Sequence, residues 1–225
     1  MSAPLAAREA YRLWAPSYAE ETVVTLLDDE LVADMTPPLA GLDLLDAGCG
    51  TGRRLRDCGA ATAIGIDLSP EMLAAGRAAG LPDTIPTLVG DLRALPVADR
   101  AFDVVWCRLA IGHVPECEAV YAELSRVCRP GGRVIVSDFH PDAHLADFRR
   151  TFRHDGEVHE VEHYLHNVAI HRYAATQAGL RCDQVREARV GPQVRPSYER
   201  AGKLAWYEAQ LGLPFVLALA FTKEG

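Results

Sequence analysis

Short apolar runs recur along the chain at residues 42–46, 62–66, 86–89, 101–107 and 133–137, separated by longer stretches of mixed character. Near-continuous aliphatic runs of this length predict strands buried on both faces. The stretches between them, at 52–59, 70–79 and 116–128, carry helix-compatible spacing, so strand and helix alternate as in a mainly parallel sheet covered on both sides. Further along, 168–179 and 198–210 predict helices, and 181–190 and 215–221 predict strands. Ahead of the first strand, residues 8–33 carry an apolar stripe through Leu13, Val23, Val24, Leu26, Leu27 and Leu31, which Pro16 breaks into two helices. Residues 142–171 turn polar and histidine-rich and predict an insertion after the fifth strand that lines a substrate pocket.

The first strand ends in Asp46-Ala47-Gly48-Cys49-Gly50-Thr51-Gly52. Glycines at alternate positions let a strand turn sharply into a helix while the backbone stays open to a ligand, because a Cβ would block both. Asp67 ends the second strand about 20 residues beyond the first glycine, the spacing at which a doubly wound sheet places an acid under a ribose. Ser69-Pro70-Glu71 already supplies a helix cap and an N1 proline, which leaves Asp67 free for that role. Asp91 follows the third strand in Gly90-Asp91-Leu92, and Arg108 and His113 follow the fourth.

Length and charge narrow the reading. At 225 residues the chain suits one domain, and its formal net charge of −8 without a Lys/Arg-rich block argues against a nucleic-acid partner. No apolar run is long enough to span a bilayer, and the N-terminal residues lack the layout of a signal peptide. The six cysteines are scattered without a Cys-x-x-Cys pair. They predict reduced thiols and a cytoplasmic protein with no metal site.

These motifs, in this order over residues 42–138, resemble those of the class I S-adenosylmethionine-dependent methyltransferases. The match rests on the glycine-rich turn, Asp67, Gly90-Asp91-Leu92, Phe102-Asp103-Val104-Val105 and Arg129-Pro130-Gly131-Gly132. Tyr11-x-x-Trp14-Ala15-x-x-Tyr18 is similar to the N-terminal element of small-molecule members. The resemblance implies a doubly wound, seven-stranded Rossmann-like sheet whose last strand runs antiparallel between strand 5 and its neighbour. It divides a single domain, 1–225, into a helical lid (1–40), a cofactor-binding half (41–140) and a substrate side (141–225). S-adenosylmethionine is then the expected cofactor. Asp46, Gly48, Cys49 and Gly50 would take its amino-acid end, Asp67 and Leu68 its ribose, and Met72, Asp91 and Leu92 its adenine. Tyr11, Trp14 and Tyr18 would close over it, with Arg108 near the sulfonium.

Methyl transfer needs positioning and, for a hydroxyl acceptor, removal of one proton. His113 is the first candidate base, since it lies just after strand 4 and histidine titrates near neutral pH; its alternative role is a cap or a substrate-orienting group. His140, after strand 5, is the second candidate, and His166 in the insertion is a substrate-binding candidate. The expected acceptor is a small molecule carrying a hydroxyl or an amine. Three other readings weigh less. A nicotinamide dehydrogenase would need Gly-x-Gly-x-x-Gly, where position 53 is Arg53. A nucleic-acid amino-methyltransferase would carry Asn/Asp-Pro-Pro-Tyr/Phe where Cys107-Arg108-Leu109-Ala110 stands. A cofactor-binding protein of the same fold without methyl transfer, a cyclase for example, shares every strong motif.

Overall fold

The computed structural model describes residues 3–18 and 21–225; residues 19 and 20 of the predicted 8–33 segment lie outside the described residues. That segment forms helix α1 (Ala7–Trp14), a 3-10 turn at Ala15–Ser17 set by Pro16, and helix α2 (Val23–Ala33). Thr22 and Thr25 cap α2 reciprocally, Thr25 N donating to Thr22 Oγ1 at 3.2 Å and Thr22 N to Thr25 Oγ1 at 2.7 Å. The first five strands are β1 (Asp43–Ala47), β2 (Thr62–Asp67), β3 (Thr87–Val89), β4 (Phe102–Arg108) and β5 (Cys128–Phe139). Between them lie α3 (Pro70–Ala78), with Ser69 as its N-cap, and α4 (Glu118–Val127). The insertion holds α5 (Pro141–Leu145) and the hairpin of β6 (Thr151–His154) and β7 (Glu157–Glu160). Helix α6 (Val168–Gln177), strand β8 (Leu180–Arg189), helices α7 (Arg195–Arg200) and α8 (Leu204–Gln210) and strand β9 (Pro214–Lys223) complete the chain.

Seven strands form one sheet in the order β3-β2-β1-β4-β5-β9-β8, with β1 to β5 parallel and β9 antiparallel to both neighbours. This is the doubly wound order that the resemblance implied. Alternation of side chains along the strands splits the core in two. Leu44, Val104, Trp106 and Ile135 face α2 on one side, and Leu45, Val105, Val134 and Val136 face α4 and α6 on the other. The register pairs Leu44 with Val104 and Leu45 with Val105, so neighbouring strands agree on which residues go to which face.

The elements depart from the expectations at three places. The helix predicted at 52–59 is a single 3-10 turn, Arg53–Leu55. The chain must come back from the end of β1 to Thr62, which pairs with Asp43 at the start of β1. An α-helix advances about 1.5 Å per residue and extended chain about 3.3 Å, so the short connection returns mostly extended. The helix predicted at 198–210 is two helices, α7 and α8, broken where Gly202 turns at a φ of +65°. The turn expected at Arg129-Pro130-Gly131-Gly132 is carried inside β5 as a bulge, since Cys128 pairs with Phe102 and Arg133 already with Val104.

Leu45 is fully buried in the middle of the sheet. Leu45→Ala is expected to cost about 2–5 kcal/mol of stability. Denaturant unfolding checks this: the midpoint should fall with an unchanged slope.

Candidate active site

The strand order reverses between β1 and β4, and a cleft of about 1050 Å³ opens at their carboxyl ends. The glycine turn forms one wall. Gly48, Gly50 and Gly52 have φ of +80°, +59° and +70°, and a Cβ on Gly48 would lie 2.5 Å from the Ala110 Cβ. Only glycine allows this backbone so close to the segment after β4. Gly48 N and Cys49 N both donate to Ile66 O, at 2.7 and 2.9 Å, which stitches the turn to the end of β2. Asp67 completes the stitch, accepting from Gly50 N at 2.7 Å and from Ser69 N at 2.9 Å. Burial pushes its carboxyl up to about 6, against the pull of these amide bonds.

Beneath the turn lies a cluster of charges. Asp46 is fully buried, and neither carboxylate oxygen has a hydrogen-bond partner. Burial raises its pKa, opposed by Arg54 and Arg108 nearby. Both guanidiniums are held instead by two consecutive acids of α2. Arg54 donates to Asp28 and Asp29, each at 3.0 Å, and Arg108 to Asp28 at 3.0 Å and Asp29 at 2.8 Å. Arg53 pairs with Asp29 at 2.6 Å, and Ser137 Oγ donates to the second oxygen of Asp28. Asp28 thus has no exposed surface and ties α2 to the ends of β4 and β5 and to the turn after β1.

On the opposite wall, His113 Nδ1 lies 3.0 Å from the Glu162 carbonyl oxygen and Nε2 lies 3.1 Å from the Tyr11 hydroxyl. A carbonyl only accepts, so Nδ1 carries the proton and Nε2 accepts from Tyr11. Burial first, and then Arg150, lowers the His113 pKa to about 3. The ring is therefore a neutral hydrogen-bond acceptor at physiological pH, better suited to orienting an oxygen than to storing a proton. Next to it, His163 Nε2 meets Asp138 Oδ1 at 3.1 Å. Gly112 makes room for this pair, since a Cβ there would fall 2.2 Å from His163 Nε2 and 2.4 Å from Asp138 Oδ2. Burial alone would raise Asp138, but His163 and the Phe139 amide hold it below the usual carboxylate value.

A second, wider cleft of about 2190 Å³ adjoins the first, and Tyr18, Leu109 and Arg150 line both. Leu109 turns here at a φ of +56°, and its carbonyl accepts from Arg150 Nη1 at 3.0 Å.

Most of the residues singled out in the sequence meet in the first cleft. Gly48, Cys49, Gly50, Asp67, Leu68 and Met72 line one side of it. Tyr11, Tyr18, Asp91, Leu92, Arg108 and His113 line the rest. Asp91 is clamped by Arg93, whose Nε and Nη2 donate at 2.9 and 2.6 Å and lower the carboxyl pKa. Asp46 lies under the turn. Trp14 stands apart from the first cleft, stacked on Tyr11 at 5.7 Å and on Phe152 at 5.1 Å, and lines the second. His140 lines neither cleft: its Nδ1 caps α5 by accepting from Asp142 N at 3.1 Å, and Nε2 donates to Glu187 at 3.1 Å. His166 lines neither as well; it is buried, with Nε2 donating to the Pro115 carbonyl at 3.2 Å. Among the described residues, no group of three or more His, Cys, Asp or Glu side chains is placed to hold a metal ion, and no helix is long and apolar enough to cross a membrane.

Sequence reasoning missed Arg150, the His163–Asp138 pair and the Asp28–Asp29 anchor. Asp28 did leave a signal, because it falls on the stripe set by Val24 and Leu31 at helical spacing. Arg150 and His163 left none, since only the packing of the insertion brings them to the site.

Residues 45–136 match the model of a methyltransferase domain family. The 27-O-demethylrifamycin SV methyltransferase of Amycolatopsis mediterranei is 33% identical over 196 residues, covering 81% of this chain and 69% of the relative. A ubiquinone/menaquinone biosynthesis C-methyltransferase of Roseobacter denitrificans is 39% identical over 118 residues, and the match spans 49% of this chain and 47% of that protein. The chain therefore spans about half the length of that relative. Among solved structures, an S-adenosylmethionine-dependent methyltransferase of Mesorhizobium loti superposes with a TM-score of 0.67 at 24% identity, over 88% of this chain and 98% of the other.

Two outcomes are expected from this site. Asp28→Ala removes the fully buried one of the two acids that Arg54 and Arg108 share and should cost about 3–5 kcal/mol in chemical unfolding. His113, whose folded pKa lies below the unfolded value, should lose stability only as pH falls below about 6.5, where the unfolded chain binds the proton. Its imidazole resonances in an NMR titration should stay those of the neutral Nδ1–H tautomer down to about pH 4; a midpoint near the ordinary histidine value would contradict the assignment.

Proposed function

The chain belongs to the class I S-adenosylmethionine-dependent methyltransferases, and on that premise we propose that it transfers a methyl group to an oxygen atom of a small molecule. The observation that carries this reading is the junction of the two clefts at Tyr18, Leu109 and Arg150. The first cleft has the residues for the cofactor, the second has space for an acceptor, and the two meet at one opening.

The cofactor fits the chemistry of the first cleft. Asp46 is a buried carboxylate with no partner, which an ammonium group would satisfy. Gly48 and Gly50 present backbone without a Cβ to the cleft they line. Asp67 can accept from two ribose hydroxyls with the lone pairs that Gly50 and Ser69 leave free. Leu68, Met72 and Leu92 offer apolar surface to an adenine. When bound, S-adenosylmethionine supplies a methyl group on positively charged sulfur, a reactive electrophile whose transfer depends on alignment.

The chain's own residues supply that alignment. Tyr11 is held by His113 and by Trp14, so its hydroxyl has a set direction at the border of the cleft. His113 Nε2 accepts from the Tyr11 hydroxyl and keeps it in that direction. Arg150 favours an oxygen acceptor over a protonated amine, because a guanidinium repels a second cation at the same opening. The acidic net charge speaks for a small molecule rather than a nucleic acid.

Asp67→Ala should weaken S-adenosylmethionine binding by about 1–3 kcal/mol, read by calorimetry with circular dichroism as a check of folding. The wild-type affinity should also depend on pH. Because Asp67 titrates at about 6 in the free protein, binding that needs its carboxylate is full above neutrality and declines as pH falls through 6. The folding sign is the reverse: a raised carboxyl pKa makes the ionised side chain a cost to the free fold above pH 6, which the ribose hydroxyls offset on binding. Affinity unchanged by the substitution and flat between pH 5 and 8 would remove Asp67 from the site.

A further inference from the structure

The second cleft has a character of its own. Its floor is aromatic: Phe139 meets Phe148 with ring centroids 5.6 Å apart, and Phe148 meets Phe215 at 4.7 Å. Its charge is positive in a protein of net charge −8, with four cationic side chains against two carboxylates among its lining residues. Arg200 is satisfied by Glu21 at 2.8 Å, and Arg149 by Asp147 at 3.0 Å. The other two cations form no ion pair among the described residues. Arg150 sits at the inner end, over the Tyr11 and Phe139 rings at 5.6 and 5.2 Å. Lys203, the N-cap residue of α8, has its Nζ 5.1 Å above the ring of Trp206, which is 58% exposed although it lines the cleft. Together they offer a ligand an aromatic face and a positive charge that no carboxylate among the described residues neutralises.

The inner end also limits the chemistry. Both His113 nitrogens are engaged, one by the Glu162 carbonyl and one by the Tyr11 hydroxyl. His163 is committed to Asp138 and lines neither cleft. The junction therefore has a cation to stabilise a negative oxygen but no free base to generate one.

We propose, resting on the methyl-transfer reading above, that the acceptor is an aromatic compound with an acidic hydroxyl at the Arg150 end and a second anionic group, such as a carboxylate, at the Lys203 end. The hydroxyl loses its proton to solvent and binds as the phenolate, paired with Arg150. A lone pair of that oxygen forms the new O–C bond, and the C–S bond breaks with its electron pair kept by sulfur. Positive sulfonium and negative phenolate both become neutral, and no proton moves in the step. Aliphatic alcohols are far weaker acids than phenols, and pairing with one guanidinium does not bring them to a comparable anion.

The test uses 6-hydroxy-2-naphthoate as probe and 2-naphthol, which lacks the carboxylate, as its control. Naphthol and naphtholate absorb at different wavelengths, so one titration reports both binding and ionisation. The carboxylate probe is expected to bind about fivefold tighter than 2-naphthol, the worth of one partly exposed ion pair. Lys203→Gln, a surface change that leaves the core intact, should abolish that preference. The hydroxyl of the bound probe should ionise about one pH unit below its free value. Arg150→Gln should erase that shift and Arg150→Lys should keep part of it, which separates a charge effect from misfolding. Equal binding of the two probes, a preference that survives Lys203→Gln, or an unshifted hydroxyl would each overturn the proposal. A parallel titration with S-adenosylmethionine separates the two levels. If the cofactor binds and the probes fail, only the acceptor class is wrong; if the cofactor does not bind, the methyl-transfer reading beneath it falls.

Discussion

A carboxylate with no access to solvent, Asp28, holds the active-site end of this molecule together. It receives Arg54 from the turn after β1, Arg108 from the end of β4 and Ser137 from β5. Helix α2 is thereby fixed to the ends of three adjacent parts of the sheet. With Asp29, Asp46 and Arg53, the cluster holds three acids and three guanidiniums, so the formal charges cancel. Burying such groups gains little net stability compared with apolar packing, but the cost of leaving any one unpaired is high. The cluster therefore acts as a specification: α2 has one place to dock. Because α2 follows the segment carrying Tyr11, Trp14 and Tyr18 and forms a wall of the second cleft, its position sets where both clefts end.

The two acids beside the glycine turn are held by different physical means. Asp67 is held in place by the amides of Gly50 and Ser69, and its carboxyl is raised by burial all the same. Asp46 has no such bonds and is kept near two guanidiniums that are themselves committed to α2. One acid is aimed and the other is left unsatisfied. That contrast underlies the proposed division of labour, Asp67 toward hydroxyls and Asp46 toward a cation.

Much of this was legible along the chain, for reasons that are local. Strands buried on both faces leave continuous apolar runs, and the glycine turn with Asp67 leaves a fixed spacing, so the parallel half of the sheet and the first cleft could be read directly. The Asp155-Gly156 pair between β6 and β7 is a two-residue hairpin signal that the polar composition of the insertion hid. The helix expected at 52–59 failed because periodicity does not register how far a connection must travel. His140 and His166 looked like site residues from their positions after β5 and within the insertion. Their ring nitrogens instead serve a helix cap, Glu187 and a backbone carbonyl. Arg150, His163 and Lys203 gain their meaning from contacts with residues far away in sequence, where no periodicity or motif reaches.

The glycine turn, the unpartnered Asp46 and the amide-held Asp67 all bear on which cofactor the first cleft takes. Calorimetric titration of the purified protein with S-adenosylmethionine, and with NADH in parallel, tests that choice most directly. Micromolar binding of the sulfonium compound alone is the expected result. Binding of the nicotinamide alone, or of neither, would contradict the account of the site.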